Sequence, residues 1–308
     1  MKKVFIDGSS GTTGLRIYER LGARADIELI SLSEELRKDP EARKDAINRS
    51  DVTFLCLPDD AAREAVTFCG NPDTAIIDTS TAHRTAEGWA YGFAELKGFR
   101  EKIAGSKRIA NPGCHASGFI SLIAPLVSEG IIKPDLHLSC FSLTGYSGGG
   151  KKMIAQYEAD GRDVLLDAPR QYGITQKHKH LPEMAAISGL TVSPIFCPIV
   201  DDYYAGMEVT VPVFADQISV PAAELKEVYM SYYGSGSGLV RYEDSDEGGF
   251  MSAGAWAGRD DMVITVTGGD ERILLVSRFD NLGKGASGAA IQNMNILFGI
   301  DETTGLNV

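Results

Sequence analysis

Cys114 sits within NPGCHASG (Asn111 to Gly118), after the turn-forming Asn111, Pro112 and Gly113 and before the apolar run FISLIAPLV. A packing cysteine normally lies inside an apolar strand or helix pattern. This one stands at a joint, where the following run predicts a helix start. A thiolate there faces unsatisfied N–H groups and the positive end of the helix, both of which lower its pKa. Gly113, Ala116, Ser117 and Gly118 leave room beside it for a substrate carbonyl. The plain alternative is a buried cap residue. A nucleophile also needs a base close in space, though not in sequence. QKHKHLPE (Gln176 to Glu183) carries two of the five histidines, His178 and His180, with Glu183 placed to orient an imidazole. In an extended segment residues two apart share a face, so both rings can point one way. No third ligand accompanies them, so no metal is expected, and the segment also reads as a basic surface turn. Both are candidate general acid/bases, and spacing alone does not order them. His115 is a weaker rival, because adjacency to Cys114 tends to aim its ring elsewhere.

Other segments suit anions. In GYSGGGKK, Ser147, Gly148, Gly149 and Lys151 could cradle phosphate through backbone N–H groups and positive charge. Arg84, after DTSTAH, could hold an anionic group, and backbone N–H groups from Asn111 to His115 could stabilise an oxyanion. Near the start, VFID reads as a buried strand, then Gly8, Gly11 and Gly14 lead into the helical pattern LRIYERL. Strand, glycine turn and helix together suit a dinucleotide diphosphate, although the spacing is not the strict G-x-G-x-x-G. The next strand, IELIS, ends in Ser31, Leu32 and Ser33 rather than in the acid that holds an NAD ribose. Ser31 and Ser33 with Arg37 or Lys38 could receive a 2′-phosphate, which favours NADP(H).

The elements that must position these residues change character along the chain. VTFLCLP, DDAAREAVTFC and TAIIDTS continue the strand and helix alternation that implies a parallel sheet with helices on both faces. From about Leu136, runs such as GMEVTVPVFA, MVITVTGG and RILLVSRF are β-rich and suit a mixed or antiparallel sheet. The fold class is therefore α/β: a Rossmann-type nucleotide-binding domain (1–113, completed by a terminal helix over 284–308) and an α+β catalytic and oligomerisation domain (114–283). PAAELKEVYMSYYG reads as one helix beginning at Pro221, EELRKDPEARKDAINR as a solvated helical face, and YEDSDEGG as an exposed acidic loop. Cys56 and Cys69 lie in apolar patterns and read as packing residues.

Composition narrows the classes. The 308 residues carry a formal charge of −12, which argues against nucleic acid as a partner, since that needs a basic footprint. No run of 18 apolar residues suggests a membrane span. Five scattered cysteines without a CxxC pair argue against a disulfide framework and for a reduced, cytoplasmic setting.

Together, FIDGSSGTTGLRI, NPGCHASGF, LTGYSGGGKK, KHKHLPE and the terminal GKGASGAAIQNMN resemble the short form of the N-acetyl-gamma-glutamyl-phosphate reductase family. That family lies in a broader group with aspartate-semialdehyde and glyceraldehyde-3-phosphate dehydrogenases. The resemblance covers nearly the whole chain. It implies that Gly8, Ser10, Gly11, Thr12, Thr13 and Gly14 form the nucleotide loop. It also implies a reductive dephosphorylation in arginine biosynthesis: an anionic acyl phosphate is reduced with NADPH through a thioester on Cys114, by a homo-oligomer, dimer or tetramer. An aspartate-semialdehyde-type dehydrogenase is the nearest rival. A nucleotide-binding regulatory protein with an inert cysteine is the rival from another class.

Overall fold

VFID lies one strand in from the edge of the first sheet, with parallel strands on either side. A computed structural model describes residues 1–308, which divide into Met1–Pro112 with Ala286–Leu306, and Gly113–Gly285 with Asn307–Val308. In the first unit, β1 (Lys2–Asp7), α1 (Thr12–Gly22), β2 (Ile27–Ile30), α2 (Pro40–Arg49), β3 (Val52–Leu55), α3 (Asp59–Phe68), β4 (Ala75–Asp78), β5 (Ala90–Tyr91), α4 (Phe99–Ala104) and β6 (Arg108–Ala110) follow one another. The strands pair in the order β2-β1-β3-β4-β6-β5, every pair parallel. VTFL and AIID are buried at every position, as strands covered on both faces must be. Ile17 and Leu21 of α1 pack with Val4, Val52, Phe54 and Ile77 on one face. Ala46 and Ile47 of α2 and Ala62 and Ala65 of α3 pack with Phe5, Leu55 and Ile76 on the other. Strand order reverses between β1 and β3, and the crevice beyond their carboxyl ends is where such sheets take ligands.

The charged run Glu34 to Arg49 is only partly the solvated helix its composition suggests. Helix begins at Pro40, because the Asp39 side chain accepts from the Ala42 N–H at 2.8 Å and caps it. Arg43 is buried: its Nε and Nη2 lie 3.0 and 2.9 Å from Asp7 Oδ2.

In the second unit α5 (Cys114–Ser128), β7 (Ser139–Gly145), α6 (Gly150–Tyr157), β8 (Arg170–Gln171), α7 (Leu181–Ser188), β9 (Ile195–Asp201), β10 (Met207–Phe214), α8 (Leu225–Tyr233), β11 (Val240–Tyr242), β12 (Met262–Gly268) and β13 (Arg272–Phe279) build a mixed sheet. Its order is β11-β12-β13-β10-β7-β9-β8; β7 with β9 and β11 with β12 are parallel, and the other pairs are antiparallel. Helix α5 is buried from His115 to Leu126, consistent with its apolar sequence on all sides. It lies close on β10: a Cβ on Gly118 would come within 2.4 Å of the Val209 side chain. Pro125 lacks the N–H that would reach the Ser121 carbonyl four residues earlier. The Tyr233 hydroxyl donates to that carbonyl instead, at 2.8 Å, and Tyr229 donates to Leu122 O at 2.7 Å. These tyrosines therefore anchor α8 to α5. Residues Ala222–Glu224 form a tight 3₁₀ turn, so α8 starts at Leu225, not at Pro221.

The terminal helix is shorter than the 284–308 expected. A π turn spans Gly283–Ser287, α9 runs from Gly288 to Phe298, and Gly299 ends it in the left-handed conformation at φ 65°. Its Ala290, Ile291 and Met294 complete the core on the α1 side of the first sheet. No helix is long and apolar enough to cross a membrane.

Candidate active site

Two cavities hold most of the residues with chemical potential, one in each unit. In the first unit a cavity of about 500 Å³ lies over the carboxyl ends of β1 and β2, lined by Asp7, Gly8, Ser9, Ser10, Ser31, Arg37, Lys38 and Arg43 among others. The glycines shape it. Gly8 has φ +91°, and a Cβ there would meet the Cys56 carbonyl oxygen at 2.3 Å. A Cβ on Gly14 would come within 2.4 Å of the Gly8 carbonyl oxygen. The turn closes with Gly11 N–H donating to Gly8 O at 3.0 Å. Thr12 opens α1, and its buried hydroxyl has no hydrogen-bond partner within the chain. A diphosphate at this helix start would give that hydroxyl an acceptor, so the residues fit a dinucleotide. Thr13 and Gly14 continue the first turn of α1. Ser33 lies outside the cavity, accepting from Leu36 and Arg37 N–H in the turn before α2. Arg37 pairs with Glu34 on the exposed rim, at 2.9 Å. Burial raises the Asp7 carboxyl above its ordinary value even though Arg43 bonds it. Nothing in the sequence distinguished Arg43 from its charged neighbours.

In the second unit a cavity of about 150 Å³ brings together Cys114, His115, Gly148, Gly149, Tyr172, His178 and His180. Cys114 is the first residue of α5, behind Gly113 in extended conformation, so it stands where first-turn N–H groups lack intrahelical acceptors. Burial pushes the Cys56 thiol up to about 12 and raises that of Cys140 too, which marks both as inert packing thiols. Glu183 links both halves of the catalytic candidate set. Its Oε2 accepts from Gly113 N–H at 3.2 Å, and its Oε1 lies 3.8 Å from His180 Nε2. His178 is half-buried, and its pKa is lowered by burial and then by Lys179. His180 N–H donates to His178 Nδ1 at 3.3 Å, and the two ring centres are 4.9 Å apart.

The glycine loop is placed differently from an open phosphate cradle. The N–H groups of Gly145, Tyr146 and Ser147 already donate to Gly206, Tyr203 and Tyr204 carbonyls. Ser147 is buried and its hydroxyl accepts from Asn281 Nδ2 at 3.0 Å, while Lys151 is exposed on α6. Gly148 and Gly149 remain on the cavity wall. Arg84 and Asn111 belong to the first unit. Arg84 is buried and donates to the Asn111 and Thr79 carbonyls at 3.0 and 3.2 Å, and the Asn111 amide donates to Ala286 O at 3.0 Å.

Tyr172, Ser142 and Gly285 escaped sequence reasoning. Tyr172 and Ser142 both bond His115, and Gly285 packs on Cys114. Tyr172 lies six residues before His178, but no local pattern separates it from the other tyrosines.

Known proteins match this chain along nearly its full length. The N-acetyl-gamma-glutamyl-phosphate reductase 2 of Nostoc sp. is 43% identical over 319 residues, spanning 99% of each chain. The N-acetyl-gamma-glutamyl-phosphate reductase of Brucella anthropi is 45% identical over 307 residues, spanning 96% of this chain and 98% of that one. The chain belongs to the N-acetyl-gamma-glutamyl-phosphate reductase family. Within that reductase family it is an oxidoreductase with a nicotinamide-nucleotide-binding domain. Residues 114–281, more than half of it, match the family described as semialdehyde dehydrogenase, dimerisation domain. Residues 32–106 match the one described as semialdehyde dehydrogenase, NAD binding domain. The solved aspartate semialdehyde dehydrogenase II of Vibrio cholerae, complexed with ASA, superposes with a TM-score of 0.71 at 14% identity, over 97% of this chain and 98% of that one. At that identity the likeness is one of fold.

Proposed function

We propose that this chain reduces N-acetyl-L-glutamyl 5-phosphate to N-acetyl-L-glutamate 5-semialdehyde with release of phosphate, using NADPH, as a step of L-arginine biosynthesis in the cytoplasm. The observation that carries this reading is Cys114 at the first position of α5, in one cavity with His178 and His180, with Glu183 joining Gly113 to His180. The full-length relatives named for this reaction support the choice of substrate.

The Cys114 thiolate attacks the acyl carbon, and the C–O bond to phosphate breaks, leaving a thioester. NADPH, when bound, supplies the hydride that reduces the thioester carbon. His180, or His178 in its place, protonates the resulting oxyanion and takes that proton back as the thiohemiacetal collapses to aldehyde and thiolate. N–H groups at the start of α5 stabilise the negative oxygen in between. Covalent capture holds the carbon in place for reduction. Gly148 and Gly149, on the wall of the Cys114 cavity, are assigned to the phosphate end of the substrate. Ser147, bonded to Asn281, shapes that loop. Ser31, Arg37 and Lys38 are assigned to the 2′-phosphate of the cofactor, with Ser10, Thr12 and Thr13 on its diphosphate.

A homo-oligomer belongs to the same reading. Phe141, Ile195, Phe214 and Leu274 are all exposed, and the register of β7, β9, β10 and β13 puts them on one face of the seven-stranded sheet. An apolar sheet face of this kind suits a second copy of the chain.

The test is the reverse reaction, followed by nicotinamide absorbance near ~340 nm. Enzyme receives NADP, phosphate and N-acetyl-glutamate semialdehyde, with aspartate semialdehyde and a C114S variant in parallel. Phosphate-dependent reduction of NADP by the acetylated aldehyde, lost in C114S, is expected. Activity on aspartate semialdehyde alone would overturn the substrate, and activity retained in C114S would overturn the mechanism.

A further inference from the structure

His115, the neighbour of the nucleophile, is held at both ends. Its Nδ1 lies 2.6 Å from the Ser142 hydroxyl of β7 and its Nε2 lies 2.6 Å from the Tyr172 hydroxyl. Both His115 and Ser142 are buried, and the imidazole is wedged between Phe196, His178 and His180, with ring centres 5.3, 6.1 and 5.4 Å away. Burial, and then the nearby His178, drive its pKa down to about 3, so the ring is neutral under ordinary conditions. A neutral imidazole has one donor and one acceptor nitrogen. If Nδ1 accepts from Ser142, Nε2–H must donate to the Tyr172 oxygen, and the phenolic proton is left to point elsewhere. Tyr172 lines the Cys114 cavity, close enough that the Cys114 charge adds to burial in raising its hydroxyl pKa.

We infer that His115 is a positioning residue: bonded to Ser142, it holds the Tyr172 hydroxyl so that its proton is offered to a substrate oxygen in the cavity beside Cys114. This rests on the proposed thioester chemistry and adds a donor to it that no charged group supplies. It also explains how a histidine next to the nucleophile can matter without being the base.

The experiment is a set of double-mutant cycles on the whole enzyme, with S142A, H115N, H115Q, Y172F and the H115N/Y172F and S142A/Y172F pairs. Two readouts are taken: kcat of the phosphate-dependent reverse reaction, and the rate of Cys114 alkylation by iodoacetamide, which needs no turnover. Y172F and H115N should each lower kcat about tenfold, the size of one lost hydrogen bond, and leave the KM for NADP unchanged. Either pair should be no slower than Y172F alone. H115Q, whose amide reaches the Nε2 position, should recover most of the loss. Alkylation should change by one common factor in Y172F, H115N and their pair. Losses that multiply in the pairs would overturn the inference, because His115 would then act apart from Tyr172. So would an H115N loss of about a thousandfold with the acidic limb of the pH profile gone, which would make His115 the base. If H115N fails to fold, S142A carries the same test. A wild-type enzyme inactive on the acetylated aldehyde would sink the proposed reaction, and the alkylation cycle would still decide the relay.

Discussion

Gly285 and Cys114 are packed so closely that a Cβ on Gly285 would lie 2.8 Å from the Cys114 Cβ, and within 3.2 Å of the Asp280 carbonyl oxygen. Asp280 fixes this approach, accepting from Leu282 and Gly283 N–H at 2.6 and 2.8 Å through one oxygen and from Gly258 N–H through the other. Under the proposed mechanism, G285A should displace the thiol from its reacting position. We expect a loss of at least about tenfold in kcat, and a destabilisation of roughly 1–3 kcal/mol from overpacking. Turnover and denaturant unfolding check both. Wild-type kcat in G285A would mean that the contact has no bearing on the chemistry.

The two candidate bases separate by their partners. Glu183 contacts His180, not His178, so E183Q and H180N should fail alike, each losing about 10²-fold or more in kcat and weakening the acidic limb of the pH profile. H178N should keep that limb. Measuring kcat against pH for the three variants decides the order, and an H180N enzyme with full activity would exchange the two roles.

Acid should unfold the protein partly through His115. Its pKa is about 3 folded against an ordinary 6.5, so the charged form is disfavoured in the native state. Above pH 6.5 both states are neutral and the group contributes nothing to pH dependence. Below it the unfolded chain takes up a proton that the folded one does not, and stability falls by about 1.4 kcal/mol per pH unit until the folded group titrates. His178, also lowered, acts in the same direction. From pH 7 to pH 5, wild type should lose about 2 kcal/mol more than H115Q in urea unfolding. Equal losses would refute a buried neutral ring.

Cofactor choice should follow the rim of the larger cavity. Arg37 and Lys38 line it near Ser31, where an NAD-specific protein would carry an acid. R37A/K38A should raise the KM for NADPH by about tenfold or more and leave that for NADH little changed. An equal rise for both nucleotides would place these residues away from the 2′-phosphate.

The architecture was legible where burial dictates composition. VTFL and AIID are covered on both faces and so read as continuous apolar runs, while GMEVTVPVFA alternates because one face of β10 is covered and the other less so. Helix ends were less legible. Helix α9 stops at Phe298 because Gly299 turns left-handed, yet Gly288 lies inside the same helix. For the site, the elements around Cys114 and the histidine segment could be recognised from residue types and neighbours. The supports could not. Arg43 finds Asp7 across 36 positions, Tyr172 finds His115 across 57, and Ser142 finds it across 27. Such pairings depend on strand register and helix placement, which leave no mark on the local sequence. Gly285 falls within the terminal helix expected over 284–308, and its packing role shows only once Cys114 is set against it.

The return of α9 to the first sheet has a consequence for synthesis. Ala290, Ile291 and Met294 fill the same apolar layer as Val4, Ile17 and Phe54. A chain emerging from the ribosome N-terminus first makes four of the first unit's five α-helices early, but the last only after all of Gly113–Gly285 has followed. During that interval the nascent first sheet carries an uncovered apolar trough. The second unit has its own sheet and its buried α5 complete before the first can close. The domain that begins first is thus the one that finishes last, and the interval between is when a chaperone has the most to shield.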